Sequence, residues 1–247
     1  IYQMVRGRLL SYGRTACDWL RPYALNDNPV LRRRAREIID HQNREAADAK
    51  FLEFCRRRSE EFDLEEAAGL LARTRYPDLN LAAYSALYDL WAERLRERLT
   101  PGQSARETLS IINRFLFEEL GFTGFEQYND DLDCCYLNRV VDRRRGNPIG
   151  LCALYLFVTR RLRLPVTGIG LPGHFICRYQ SSTEEIYLDC FRQGAFLTKR
   201  DCYSFLLRGY FDLSDRLLSP VSARLMLLRM CNNLHQTYAQ LEMREES

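Results

Sequence analysis

Cys152, His174 and Asp189 are the residues of this chain whose types could together do nucleophilic chemistry. A thiol becomes a nucleophile when an imidazole takes its proton and a carboxylate holds that imidazole in one tautomer. A thiol near a helix start gains further help from the helix dipole, which favours the thiolate. That help is concentrated in the first turn, and Cys152 sits just beyond it. The competing reading of Cys152 is a small buried residue packed under a sheet. For His174 it is a turn-bracing side chain that an acid merely orients.

The stretch 146–191, GNPIGLCALYLFVTRRLRLPVTGIGLPGHFICRYQSSTEEIYLDCF, must supply the elements that position the three. Asn147 can accept from the first free N–H groups of a helix, and Pro148 suits the first helical position because it has no N–H to satisfy. Leu151, Leu154, Tyr155, Val158 and Leu162 continue a helical face, Arg160, Arg161 and Arg163 meet its negative end, and Pro165 stops it. VTGIGL and HFICRY read as strands broken at Pro172-Gly173, and IYLDCF as a third after the polar turn SSTEE. One helix on an antiparallel sheet follows, with Cys152 near the helix start, His174 opening one strand and Asp189 ending the next.

The sequence of G-x-P-I, R-x-L-x-L-P, L-P-G-H-F and Y-L-D-C-F segments resembles the transglutaminase-like superfamily, a papain-like arrangement. Within it the chain is similar to the bacterial SirB-one N-terminal branch, also called transglutaminase core domain two. The similarity runs from about Leu137 to Phe191 and more faintly into the flanking helices. The resemblance implies Cys at the helix start, His on the next strand and Asp on the one after. His174 and Asp189 fall on the second and third positions. Counting back from Leu164-Pro165, the nucleophile position falls on Pro148, and Cys152 lies one turn further in on the same helical face.

Asn147, Pro148 and Gly173 would then border a cleft, together with the basic run Arg143, Arg144 and Arg145, which would either attract an acidic peptide or complement a helix C-terminus. Asp130, Asp131 and Asp133 lack the glycine and terminal glutamate of a calcium loop. A helix from about Asp133 to Arg144, with Leu137, Val140 and Val141 inward, is expected there.

The 247 residues, 46% hydrophobic, are enough for a real core, and a net charge of +3 gives no general polyanion-binding role. All basic residues but Lys50 and Lys199 are arginine. That reflects either a composition bias or a surface built for carboxylates and phosphates. No apolar run is long enough to span a membrane, and the first twenty residues do not read as a signal peptide. Nine scattered cysteines, without a C-x-x-C pair or Cys/His ligand spacing, predict reduced thiols in a cytoplasm and no zinc, other metal or cofactor.

Residues 1–120 read as helical: Tyr2 to Trp19, Pro29 to about Glu60, then helices opening at Asp63, Asn80 and a Ser104/Glu107 capping box closed by Gly121. The second should bury Leu31, Ala35, Ile38, Ile39, Ala46, Ala49, Leu52 and Phe54. Its basic triplets 32–34 and 56–58 read as a solvated face with i,i+4 partners such as Arg33–Glu37 and Arg57–Glu61. Leu81, Tyr84, Leu87, Tyr88, Trp91 and Leu95 form a core stripe. After Asp189 come a short strand at 194–197, a helix from Thr198/Asp201 to Arg208, and a last helix opened by Ser219-Pro220. That helix should bury Leu225, Leu228, Met230, Leu234, Tyr238 and Leu241, and its RMCNNLHQTYAQL resembles a family tail that continues into tetratricopeptide-like helical repeats.

The expectation is an α+β protein: a helical region over 1–120, a transglutaminase-like core over 121–200 and a helical extension over 201–247. Two functions stand against each other. One is a pseudoenzyme whose cleft binds a protein or peptide. The other is a thiol peptidase, amidase or acyl transferase using Cys152, His174 and Asp189, with backbone N–H groups at the helix start as oxyanion hole. An arginine-rich binder of nucleic acid or an acidic partner is a weaker third reading, with salt-sensitive binding as its signature.

Overall fold

The structure, a computed structural model, describes residues 2–56, 62–208 and 215–241. The chain divides into two units, Ile1–Arg58 with Gly69–Leu79, and Ser59–Ala68 with Asn80–Ser247.

The first unit holds α1 (Tyr2–Ser11), α2 (Arg14–Leu20), a 3-10 turn at Arg21–Leu25, α3 (Pro29–Arg56) and the latter part of α4 (Leu64–Arg75). The single helix expected from Tyr2 to Trp19 is broken at Gly13, whose φ of 58° is a left-handed conformation that glycine adopts without strain. In α3 the buried positions are Ala35, Ile38, Gln42, Ala47 and Phe54, while Leu31 and Leu52 are exposed. The buried face thus differs from the expected apolar stripe, and a polar residue belongs to it: Gln42 is accommodated by a hydrogen bond, Nε2 donating to Leu10 O at 3.0 Å. Arg33 and Glu37 do pair, at 3.8 Å and with both side chains at least half exposed, so this face is solvated. The expected Arg57–Glu61 pair lies outside the described residues.

In the second unit, Asp63 Oδ1 caps the start of α4 by accepting from Glu65 and Glu66 N–H, and Asn80 caps α5 (Leu81–Arg96). Tyr88, Trp91, Ala92 and Leu95 are the buried face of α5. The capping box of Ser104 and Glu107 opens α6 (Ala105–Asn113), which widens into a π turn at Arg114–Glu119 and ends at Gly121, φ 73°. The two-residue strand β1 (Thr123–Gly124) pairs in parallel with β2 (Arg145–Gly146). Between them the expected long helix is only α7 (Leu137–Arg143), preceded by 3-10 turns at Tyr128–Asp130 and Leu132–Cys134. Asp131 accepts from the Asp133 N–H and so caps the short 3-10 turn at Leu132–Cys134, which takes the place of the first part of the expected helix.

The central element is α8 (Pro148–Arg161), of whose 14 residues 11 are buried. It packs on an antiparallel meander of β3 (Val166–Leu171), β4 (His174–Gln180), β5 (Glu185–Asp189) and β6 (Ala195–Leu197), in that spatial order. The register pairs Leu171 with His174, Ile169 with Ile176 and Cys177 with Leu188. Because side chains alternate along a strand, Ile169, Leu171, His174, Ile176, Tyr187 and Asp189 share one face, and Phe175, Cys177 and Leu188 share the other. The first face is covered by α9 (Lys199–Arg208) through Cys202 and Leu206, and α8 lies on the second.

The last helix, α10 (Ala223–Gln240), starts later than expected, with Ser222 as its cap. Pro220 instead bridges Ile169 of β3, and Val221 N donates to Gly168 O at 3.0 Å. The buried face of α10 is Met226, Leu227, Met230, Leu234, Thr237 and Tyr238, with Leu225 and Leu228 exposed. The chain is α+β with helical regions before and after the sheet. Among the described residues no helix is long and apolar enough to cross a membrane.

The start of α8 is buried, so its first N–H groups depend on Asn147, whose Oδ1 accepts from Gly150 N–H at 2.8 Å. Asn147→Ala should therefore cost about 1–3 kcal/mol of stability in urea unfolding. Asn147→Ser, which keeps an acceptor, should recover part of it.

Candidate functional site

His174 and Asp189 meet diagonally across β4 and β5, His174 Nε2 lying 2.9 Å from Asp189 Oδ2. The strand alternation puts both on the α9 face of the sheet, and Gly173, at φ 72°, makes the turn that presents the histidine. Asp189 is fixed twice over: its Oδ1 also accepts from the Phe191 and Arg192 N–H groups at 3.1 and 3.3 Å, capping a 3-10 turn at Cys190–Arg192. The imidazole stands between the rings of Phe191 and Phe205, at 6.0 and 5.4 Å between centroids.

This pair lines a cleft of about 440 Å³. Pro148, at the start of α8, forms part of its wall, with Gly173, Tyr128, Phe191 and Phe205 as apolar surface and Glu126, Arg192, Asp201 and Ser204 as polar surface. Sequence reasoning does not reach the aromatic residues or those of α9 as site residues. Phe191 closes the Y-L-D-C-F segment without any sign that its ring lines a cleft, and Phe205 carries no motif and reaches His174 only through the packing of α9 on the sheet. Cys202 is also in the wall, but it is only 1% exposed, and burial pushes its thiol up to about 11.

Cys152 is elsewhere. It is fully buried on the α8 side of the sheet, where its Sγ donates to Phe175 O at 3.5 Å, and it is not among the described residues lining the cleft. Its neighbours are Cys177, whose Sγ approaches Cys152 O at 3.9 Å, and Cys190, whose Sγ lies 3.7 Å from Cys177 Sγ. Burial holds the thiols of Cys152 and Cys190 well above the usual range. At Cys177 burial acts the same way, but hydrogen bonds from the other two outweigh it and lower that thiol. Positions 152, 177 and 190 have no ligand-like spacing, so this three-thiol cluster could not be read from the sequence.

The arginine run is committed to partners inside the fold. Arg143 bonds to Asp131 and Asp133 at 2.9 Å each, and Arg145 reaches Asp131 at 3.3 Å. Arg144, left-handed at φ 56°, lays its guanidinium over Phe122 and Trp91 at 4.7 and 5.2 Å, and burial lowers its pKa. None of the three lines the cleft, and Asn147 is buried as a helix cap. The acidic cluster at 131 and 133 serves as the counter-charge for this run, not as a calcium loop.

A buried helix start facing an antiparallel sheet, with His and Asp paired across adjacent strands beside it, defines the helix-on-sheet class of papain-like cores. A family model described as the transglutaminase-like superfamily matches residues 82–232. The chain belongs to that superfamily. It is 34% identical over 188 residues to a UPF0162 protein of Xylella fastidiosa (strain 9a5c), an alignment covering 73% of this chain and 66% of that protein. The chain thus spans slightly less than two thirds of that relative. It is also 28% identical over 93 residues to protein SirB1 of Salmonella typhimurium, covering 38% and 35% of the two chains, which agrees with the SirB-type branch. F-box only protein 21 of Mus musculus is 32% identical over 137 residues, 52% of this chain and 21% of that one. No solved structure matches.

The buried thiols make stability depend on alkaline pH. Cys134 is pushed up to about 12 and Cys202 to about 11, chiefly by burial. Unfolded, each would ionise near pH ~8.5. Above that pH the folded chain holds more protons than the unfolded one, so stability falls as pH rises. Urea midpoints should decline between about pH 8.5 and 11, with a shallower decline in Cys202→Ala.

Proposed function

We propose that this chain carries a catalytically degenerate transglutaminase-like core whose cleft binds a protein or peptide segment. One observation carries the reading: the wall beside His174 and Asp189 is formed at the helix start by Pro148, while Cys152 lies on the other side of the sheet. A Cys152-based acyl intermediate would need the thiol to pass through the sheet to reach the imidazole. Cys202, the thiol in the wall, stays protonated at neutral pH and so makes a weak nucleophile.

The cleft suits an extended segment bearing an apolar anchor. Three aromatic rings give contact area at low entropic cost, and Glu126, Asp201, Arg192 and Ser204 offer polar groups of both signs. The occurrence of a similar segment within a chain as long as F-box only protein 21, of which it makes up 21%, supports a module that functions inside different proteins. Pairing of Arg143 and Arg145 with acids speaks against the arginine-rich nucleic-acid reading. A reducing, cytoplasmic setting accords with nine cysteines, none in a disulfide among the described residues.

Thiol labelling of native protein with a small electrophile tests the degenerate half. Exposed Cys55 should label and Cys152 should stay unlabelled until unfolding. Fast labelling of Cys152 below pH ~7 that is lost in His174→Ala would instead place the thiol enzyme first. Conversely, Pro148→Cys should create a thiol beside His174 that labels below pH ~7, about tenfold slower when His174→Ala is added. The binding half is tested by peptide-display selection on the whole chain. Selected peptides should lose affinity by roughly ten- to a hundredfold in Phe205→Ala, the range of an aromatic anchor. Selection that returns no peptide sensitive to cleft substitutions would sink the binding reading.

A further inference from the structure

The cluster beneath the sheet is unused by the cleft reading and independent of it. The Sγ atoms of Cys152, Cys177 and Cys190 all lie within 4.8 Å of one another, and each thiol comes from a different element: α8, β4 and the 3-10 turn after β5. We infer that these three residues form a binding site for a single thiophilic ion, and that the ion best matched is a trivalent metalloid of the arsenic(III) type.

Geometry gives the first argument. Thiolates bound at about 2.3 Å to one centre stand roughly 3.4 Å apart when the centre is pyramidal and roughly 3.8 Å apart when it is tetrahedral. The Cys177–Cys190 separation is 3.7 Å, already that of two ligands sharing a centre. Cys152 closes the third corner, its thiol donating to a carbonyl, a bond that can be given up. Softness gives the second, because an all-sulfur donor set selects thiophilic ions over magnesium or calcium.

Charge decides among the soft ions. All three side chains are 0% exposed. Asp189, next in sequence to Cys190, places a carboxylate close enough to disfavour further negative charge on Cys152. A monovalent ion on three thiolates leaves two net negative charges, and a divalent ion leaves one. Either is costly to bury without a counter-ion. A trivalent ion leaves none. The step is a ligand exchange: the hydroxide form of the ion, E(OH)3, takes three S–H protons onto its three hydroxides, three S–E bonds form and three waters leave. No electrons are transferred, and no oxidant or reductant is required. Since the cluster is enclosed, the ion enters when α8 lifts from the sheet, so loading is slow on the native protein and fast during refolding.

The test uses the full reduced chain with arsenite as probe, offered both to native protein and during refolding from urea, with zinc(II) and copper(I) as separate arms. Intact-mass measurement should find one arsenic per chain with three protons lost, and alkylation mapping in urea, where every thiol of the unloaded chain reacts, should find Cys152, Cys177 and Cys190 protected together. Cys177→Ser and Cys190→Ser, each checked for native circular dichroism, should weaken binding roughly a hundredfold through loss of one arm of the chelate. The adjacent pair Cys134 and Cys135 is the control, and its double serine variant should bind as the parent does. Failure to take up arsenic by either route would overturn the site, as would protection mapped to Cys134 and Cys135. Tighter binding of zinc(II) or copper(I) by the same three thiols would overturn the trivalent assignment.

Discussion

The fold depends on burying α8. A helix with 11 of 14 residues buried must be covered on nearly every side, and the sheet, α5, α7 and α10 all pack on it. Each fully buried Leu, Ile, Val or Phe along it contributes roughly 2 kcal/mol, so the surrounding elements are held chiefly by this contact. The same burial dictates how the helix may begin and end. At its start there is no water for the free N–H groups, so Asn147 accepts one and Pro148 has none to satisfy. Proline therefore suits the helix at the position where its start also forms part of the cleft wall. At its end Arg161, 13% exposed, is gripped by Glu65 and Asp89, which ties α8 to the start of α4 and the middle of α5 by charge as well as packing.

Strand alternation is the second constraint, and it explains how one small sheet carries two polar features that do not meet. His174 and Asp189 look toward α9 because they are of the same parity in the register as Ile176 and Tyr187. Cys177 and Cys190, each displaced by an odd step, look toward α8. A thiol one turn into the helix joins the second group, because by that depth the helix is already under the sheet. Only the residue at its mouth can share a cleft with the imidazole.

Local signals make much of this legible in the amino-acid sequence. The capped start of α8, the breaks at Pro165 and Pro172-Gly173, the capping box at Ser104 and the cap at Asp63 are each decided within a few residues, and the elements fall where those residues put them. Where long-range contacts decide, the sequence is silent. Nothing adjacent to Arg143 shows that Asp131 and Asp133 will fold back onto it, and Gln42 is polar in sequence but buried through its bond to Leu10. Pro220 has the same local signature as Pro148, yet it ends up bridging Ile169 while its helix waits for Ser222. The cleft's aromatic wall and the three-thiol cluster belong to this class, since both are assembled by packing between separate elements.

The bridge from Pro220 to β3 has one more consequence. An open sheet exposes two rows of unpaired backbone groups, and these invite a passing chain to add itself as an extra strand. Here β6 is only three residues long, and part of the outer edge of β3 is already engaged by Pro220 and Val221. A segment docking on this core is thereby denied much of the main-chain ladder that would accept almost any sequence. Recognition of any such segment would then fall to side chains, and its selectivity would follow from that closure more than from any single residue in the wall.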